Sequence, residues 1–342
     1  MSFDVMGEFA GQPVWLWLAF LCFVGFVLWL DLAVINNKDG RISAKKSALM
    51  WASFACCAML FAGYVYFFYE PDPYFYNSPD NLNAQATMQY LTGYLLETAL
   101  AFDNIFVISM IFALFAIPPA YQHRVLFWGI IGAVVFRALF IGLGAAIVNQ
   151  LTFVLYFFAA ILIVSGIKML ISASKPHEAP NPAWIIRLVE RFMPVTNEIR
   201  NHNFVVRMPD ATGRMVLYAT PLLLALVTVE IADIIFAIDS VPAIFAVTRD
   251  PFIVYTSNIF AILGLRSLYF MLAAAADRFR YLKIGLAAVL VLIGVKIIWN
   301  FLLSKELKIA PYLEPHWSLI ATLVLVGGSI LLSLFTRPKP HA

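Results

Sequence analysis

The sequence predicts an all-α, polytopic membrane protein with about nine transmembrane helices, six of them forming two inverted three-helix repeats. Three observations carry this reading. Of 342 residues, 62% are hydrophobic and 13% charged, whereas a soluble chain is roughly half apolar and a quarter charged. Nine apolar runs each approach the ~20 residues needed to cross a hydrocarbon core. An acid-bearing motif occurs twice. The net charge of +3 is too small to suggest a nucleic-acid partner, so the expected partner is the lipid bilayer.

The expected spans are residues 13–35, 47–69, 89–115, 125–148, 151–172, 215–247, 252–276, 283–303 and 316–336. The sixth is over-long and carries Pro221 and Pro242, so a kink or an early end is expected there. Basic residues orient the chain. Lys38, Arg41, Lys45 and Lys46 follow the first span, and Lys175, Arg187, Arg191, Arg200, Arg207 and Arg214 follow the fifth. Arg278, Arg280, Lys283, Arg337 and Lys339 complete the set. With nine spans all of these fall on one side, expected to be the cytoplasm of a bacterial inner membrane. The N-terminus is then periplasmic and the C-terminus cytoplasmic. The segments are a two-span N-terminal part (1–87), repeat 1 (88–175), a cytoplasmic loop (176–214), repeat 2 (215–305), and a last span with its tail (306–342). Within the loop, "PAWIIRLVERFM" has the apolar spacing of a short surface helix. Most aromatics, Trp15, Trp17, Trp29 and Tyr66–Tyr69 among them, are expected at span ends and on the lipid-facing surface. Cys22, Cys56 and Cys57 lie in apolar segments, so neither a disulfide framework nor a thiolate metal site is expected.

The repeat emerges when "ALAFDNIFVI" (99–108) is set above "IFAIDSVPAI" (235–244). Asp103 falls on Asp239, Asn104 on Ser240 and Glu97 on Asp233. Further along, Arg137 matches Arg266 and Lys168 matches Lys296. Each unit has three spans, an odd number, so the second must enter the membrane from the opposite side. Inverted repeats with sites near the midplane are how many secondary transporters are built.

Glu97, Asp103, Glu230, Asp233 and Asp239 all lie within apolar runs. A charged group at mid-span costs at least about 2.5–3.5 kcal/mol, so these acids must face the interior and find partners. Arg137 and Arg266 are the candidate counter-charges, while Lys168 and Lys296 are placed near span ends where they can snorkel. Five acids outnumber two mid-span arginines, which leaves room for a cation or protons. Buried ion pairs that only lock helices together are the plainer alternative. Carboxylates with Asn104, Ser240 and Asn258 form an oxygen-ligand set suited to Mg²⁺, Ca²⁺ or Mn²⁺. On an ideal helix six positions turn about 240°, so Glu97 and Asp103 would not share a face, nor would Asp233 and Asp239. Either the helices unwind near the aspartates, with Pro242 the candidate break, or the two acids of each pair serve different parts of a path. No nucleophile, acid–base or phosphate-loop pattern accompanies the acids, so an enzyme is not expected, nor a prosthetic group.

"LTGYLLETALAFDNIFV" and "TPLLLALVTVEIADIIFAIDSVPAIFAVTRDPFIVYTSNIFAILGLRSLYF" resemble the paired signatures of the TerC/Alx family of bacterial membrane proteins, from about Leu30 to Lys296. Members often read Glu-Lys-Ser-Leu-Ser-x-Asp-Asn in the first motif; here Thr98 and Ala99 replace Lys-Ser, and Ala101 stands where many have Ser. The resemblance implies manganese efflux from the cytoplasm, with some members tied to alkaline pH, tellurite resistance or calcium, and others discussed as non-transporting factors that aid insertion or metallation of other proteins. Carried over by position, the metal set is Glu97, Asp103, Asn104, Glu230, Asp233, Asp239 and Ser240, with Mn²⁺ as transported substrate ahead of Ca²⁺ or Mg²⁺ and protons as the coupled ion. Arg137, Arg266, Asn258, Lys168 and Lys296 surround it.

Overall fold

The computed structural model describes residues 7–35, 44–76, 80–151, 153–172, 182–200, 202–210, 213–272 and 281–336. Lys38, Arg41, Lys175, Arg278, Arg280, Arg337 and Lys339, used above to orient the chain, lie outside the described residues.

A small hairpin, β1 (Glu8–Phe9) and β2 (Gln12–Pro13), opens the chain. Its two turn residues, Ala10 and Gly11, both have positive φ, the conformation a two-residue hairpin demands. Two apolar helices follow, α1 (Val14–Ile35) and α2 (Ala44–Phe68). The next three helices are α3 (Leu82–Leu114), α4 (Pro119–Gln150) and α5 (Val154–Ser172). After the short α6 (Pro182–Glu190) comes an antiparallel hairpin of β3 (Val205–Pro209) and β4 (Met215–Ala219). The rest is α7 (Pro221–Val247), α8 (Pro251–Leu263), α9 (Leu265–Leu272), α10 (Leu282–Ile298) and α11 (Pro315–Phe335). A π-helical stretch, Trp299–Glu306, prolongs α10.

Among the described residues eight helices are long and apolar enough to cross a membrane, with α8 and α9 counted as one, and α1 contributes a shorter apolar stretch at Val14–Leu30. These match the expected runs in order. Pro119, Pro221, Pro251 and Pro315 open their helices. There the missing N–H is no loss, since the first turn has no partner for it.

Three expectations need correction. The sixth span begins at Pro221 because Met215–Ala219 pairs as a strand with Val205–Pro209. The helix then runs unbroken through Pro242 to Val247; Pro242 removes one backbone donor, a loss that packed membrane helices absorb. Among the aromatics, Tyr69 is buried rather than lipid-facing. Trp17 packs edge-on against Phe252 and Tyr255, with centroids 5.1 and 5.4 Å away. The helix expected at "PAWIIRLVERFM" is α6.

Burial separates core from periphery. The most apolar stretch of Pro251–Leu272 is 89% buried and that of α3 61%, against 17% for α2. Leu60, Phe67 and Phe68 on α2 and Leu139 and Leu143 on α4 are exposed apolar side chains, as expected on the outside of a helix bundle set in lipid. Around the centre α3 packs against α8, α7, α2 and α11; α4 packs against α7 and α8; α5 packs against α10 and α7. The α5–α10 contact is reciprocal. A Cβ on Gly166 would lie 2.7 Å from Val291 and 2.8 Å from the Ala287 carbonyl. One on Gly294 would lie 2.7 Å from Ile163 and 2.9 Å from the Ala159 carbonyl. Both positions admit only glycine without a backbone shift.

Candidate functional site

Continuous helices decide which polar groups can meet. On α3 the buried face includes Tyr90, Gly93, Glu97, Ala101, Asn104 and Ile108, a spacing of three and four that keeps one side inward. Asn104, seven positions after Glu97, shares that face; Asp103 falls beside it and is half-buried. Helix α7 repeats the pattern. Asp233 and Ser240 are seven apart on one face, with Glu230 one turn before Asp233, while Asp239 turns aside. The two acids of each pair, Glu97 with Asp103 and Asp233 with Asp239, thus face different sides of an intact helix, the arrangement the second alternative raised by the sequence requires.

Three helices, α3, α7 and α8, converge on Arg137 of α4. Its Nη1 donates to Glu97 Oε1 of α3, and to Asn258 Oδ1 of α8 at 3.2 Å; its Nη2 donates to Asp233 Oδ1 of α7 at 3.4 Å. Glu97 and Arg137 are each 2% exposed and Asp233 14%. Asn258 Nδ2 donates to the Val254 carbonyl at 3.0 Å, which turns the amide oxygen toward the guanidinium. Among the described residues, Glu97 Oε2, Asp233 Oδ2, Glu230 Oε2 and Arg137 Nε are buried without a hydrogen-bond partner. Such groups are rare and costly in a folded interior. Beside Asp233 lies a cavity of about 20 Å³ bordered also by Asn104, Gly129, Ala133 and Phe236, room for about one water molecule or one bare ion. Small residues on α4 make this space. A Cβ on Gly132 would collide with the Glu230 carboxylate.

The other expected residues lie elsewhere. Asp239 Oδ1 accepts from Ser165 Oγ of α5 at 2.6 Å. Ser240 is buried and its hydroxyl has no partner among the described residues. Arg266 is buried on α9, and Lys168 is exposed on α5. Lys296 does not snorkel: it is buried, and its Nζ donates to Ser318 Oγ of α11 at 2.5 Å. The seven proposed metal residues therefore do not form one ready-made cluster. Among the described residues no three acidic, His or Cys side chains stand close enough to hold an ion unaided.

Sequence reasoning missed a second buried acid. Asp250 Oδ2 accepts from the Tyr69 and Tyr76 hydroxyls at 2.7 and 2.8 Å, and its Oδ1 caps α8 through the amides of Phe252 and Ile253. Burial pushes its carboxyl up from the ordinary range, while the two phenols and two amides pull it back. Burial and the neighbouring Asp250 charge push both phenols well up, so they stay protonated donors into alkaline solution. "RDP" carried a readable cap signal, but the distant tyrosines did not. Asp250→Ala would remove a cap worth about 0.5–2 kcal/mol and orphan two phenols at about 1–3 kcal/mol each. Its melting temperature should fall well below that of Tyr69→Phe, measured on purified protein; equal melting would remove Asp250 as the fastener of this end.

Fold and interior together define a class: a polytopic helical membrane protein whose central helices share a buried guanidinium between two carboxylates. The chain belongs to the integral membrane protein TerC family, whose model matches residues 82–341. It is 43% identical over 320 residues to the uncharacterized membrane protein STKORF319 of Myxococcus xanthus, covering 93% of this chain and 92% of that one. It is 40% identical over 290 residues to the Escherichia coli K12 protein named "Putative membrane-bound redox modulator Alx", covering 84% and 86%. A protein of the same name from Salmonella typhi is 41% identical over 288 residues, covering 84% and 86%. No solved structure matches the chain.

Proposed function

We propose that the protein is a secondary transporter, not an enzyme, that exports Mn²⁺ and to a lesser degree other divalent cations from the cytoplasm in exchange for protons. One observation carries the reading. Two carboxylates in the helix core share a single guanidinium, each keeps an oxygen without a partner among the described residues, and one of them, Asp233, borders a cavity the size of one ion. Counted by itself, the Glu97–Arg137–Asp233 group has one more acid than base, Glu230 adds a further carboxylate one turn from Asp233, and oxygen donors of this kind suit a hard divalent ion. Manganese itself is the ion the family resemblance implies. A buried carboxylate that releases its ion is stabilised by taking up a proton, which couples the two flows. The orientation follows the basic loops, with the C-terminus in the cytoplasm and the membrane a bacterial inner membrane.

Packing supports the inverted arrangement that alternating access calls for. The first helix of each unit lies on the second of the other, α3 on α8 and α7 on α4. In the third helices, Gly166, Ala159 and Ile163 fall on Gly294, Ala287 and Val291 by one offset of 128 positions. These residues contact each other crosswise, with α5 and α10 antiparallel.

The test is flux in proteoliposomes holding the purified full chain, with Mn²⁺, Ca²⁺ or Mg²⁺ and an imposed pH gradient. Mn²⁺ movement that dissipates the gradient is expected; a tight vesicle that moves no ion would leave a non-transporting factor. The relatives' printed name favours a second, redox reading. Its natural carriers here would be the thiols of Cys22, Cys56 and Cys57, which sit on α1 and α2 away from the acids. Replacing all three cysteines with Ala is expected to leave Mn²⁺ flux within about twofold of wild type, well under the tenfold that ~1.4 kcal/mol would produce. A thiol-dependent flux would favour the redox reading.

A further inference from the structure

We propose that Arg137 is a tethered resident cation that a divalent ion must displace, and that this displacement excludes monovalent ions from the site. The inference rests on the transport reading above and concerns how its site selects charge.

Glu97 and Asp233 each give one oxygen to Arg137 and keep the other bare. With two carboxylates and one guanidinium the group carries one net negative charge. Exchanging the guanidinium for a monovalent ion leaves that charge unchanged and discards its directed hydrogen bonds. Exchanging it for a divalent ion neutralises the pair. Only the second exchange has a Coulombic gain to set against stripping an ion of its water, a cost of several kcal/mol for an ion taken into a protein interior. Arginine cannot leave by losing its proton, so it must move.

The geometry gives it a way to move. The Arg137–Asp233 contact, at 3.4 Å, is long for a charge-assisted bond. The contact with Asn258 is shorter, at 3.2 Å, and neutral. Asn258 can therefore hold the guanidinium after the carboxylates turn to an ion, without competing for that ion's charge. Asp233 also borders the cavity where the ion would enter. Because Arg137 belongs to α4, which packs against both α7 and α8, ion entry is coupled to the helices that form the site.

The experiment is Mn²⁺ binding to the purified full chain in nanodiscs, by calorimetry and by the Mn²⁺ electron-spin signal, with and without excess Na⁺ or K⁺. Wild type should bind Mn²⁺ weakly and ignore monovalent ions. Arg137→Met should bind Mn²⁺ about tenfold or more tightly, and Na⁺ or K⁺ should now compete. Arg137→Lys should restore weak binding that is insensitive to monovalent ions. Arg137→Gln, which keeps a donor for Glu97, carries the test if Arg137→Met does not fold. Unchanged affinity without monovalent competition, in a folded neutral variant of a wild type that binds Mn²⁺, would overturn the inference and leave the transport reading standing. Absence of Mn²⁺ binding in both wild type and the neutral variants, with no flux, would remove the transport reading and this inference with it.

Discussion

Asp233→Asn is expected to reduce Mn²⁺ flux in proteoliposomes to the protein-free background while leaving insertion and melting temperature nearly unchanged. The residue is the most exposed of the three ionisable groups, and its contact with Arg137 is long. Asparagine has the same shape, and Arg137 keeps Glu97 and Asn258 as partners. The fold therefore loses little. The ion loses one of its charged oxygens in a site shielded from water, where about 1.4 kcal/mol already means tenfold in affinity. Glu97→Ala is the contrasting case. It strands a fully buried guanidinium, and breaking such a pair costs about 3–5 kcal/mol, so poor folding is expected along with lost flux. If Asp233→Asn kept full flux, its carboxylate would lie off the ion path. If it misfolded as badly as Glu97→Ala, the acids would be locks between helices, the plainer reading the sequence left open.

The contrast also marks how far the sequence could be read. The membrane class and the order of the helices follow from composition and are seen in the structure; of the acids expected to face inward, Glu97 is buried and Asp233 joins it at Arg137, while Asp103 and Asp239 turn aside. The turn angle between Glu97 and Asp103 was legible too, because it depends only on helix geometry. What the sequence could not resolve was whether the helices stay intact, since Pro242 can either break a helix or be absorbed by neighbours. Once α3 and α7 are continuous, Asn104 and Ser240 take the faces of Glu97 and Asp233, and the aspartates do not. Nor could spacing along one chain reveal that Arg137 of the first unit would join Glu97 of its own unit to Asp233 and Asn258 of the other. That pairing depends on how the units pack. Lys296 misled for a related reason: it sits near the end of an apolar run, but a following π-helical stretch and the last span enclose it. The hairpin at Val205–Ala219 straddles what was read as the end of the cytoplasmic loop and the start of the sixth span, and its second strand, Met215–Ala219, is a continuous apolar run that reads like the membrane segment it precedes.

Gly132→Ala should abolish or severely reduce flux while the protein remains folded, the second large effect expected. The added methyl overlaps the Glu230 carboxylate, which is the far end of a flexible side chain and can swing away. Alanine also gains about 1 kcal/mol over glycine in a helix, which offsets much of the remaining strain. Stability should therefore change little. The displaced group is a buried carboxylate one turn from Asp233 on α7, and Gly132 lies between Gly129 and Ala133, which border the cavity. Moving Glu230 alters the charge and the space an ion meets there. Gly63→Ala on α2, outside the cavity lining, is the control. Its methyl would meet nothing within 4 Å, so flux should persist with that variant. Combining Gly132→Ala with Glu230→Ala separates space from charge, as a double-mutant cycle can. If the methyl acts only by filling space, removing the side chain it strikes restores flux. If Glu230 serves the ion directly, the double variant stays silent, and Glu230→Ala alone is silent as well.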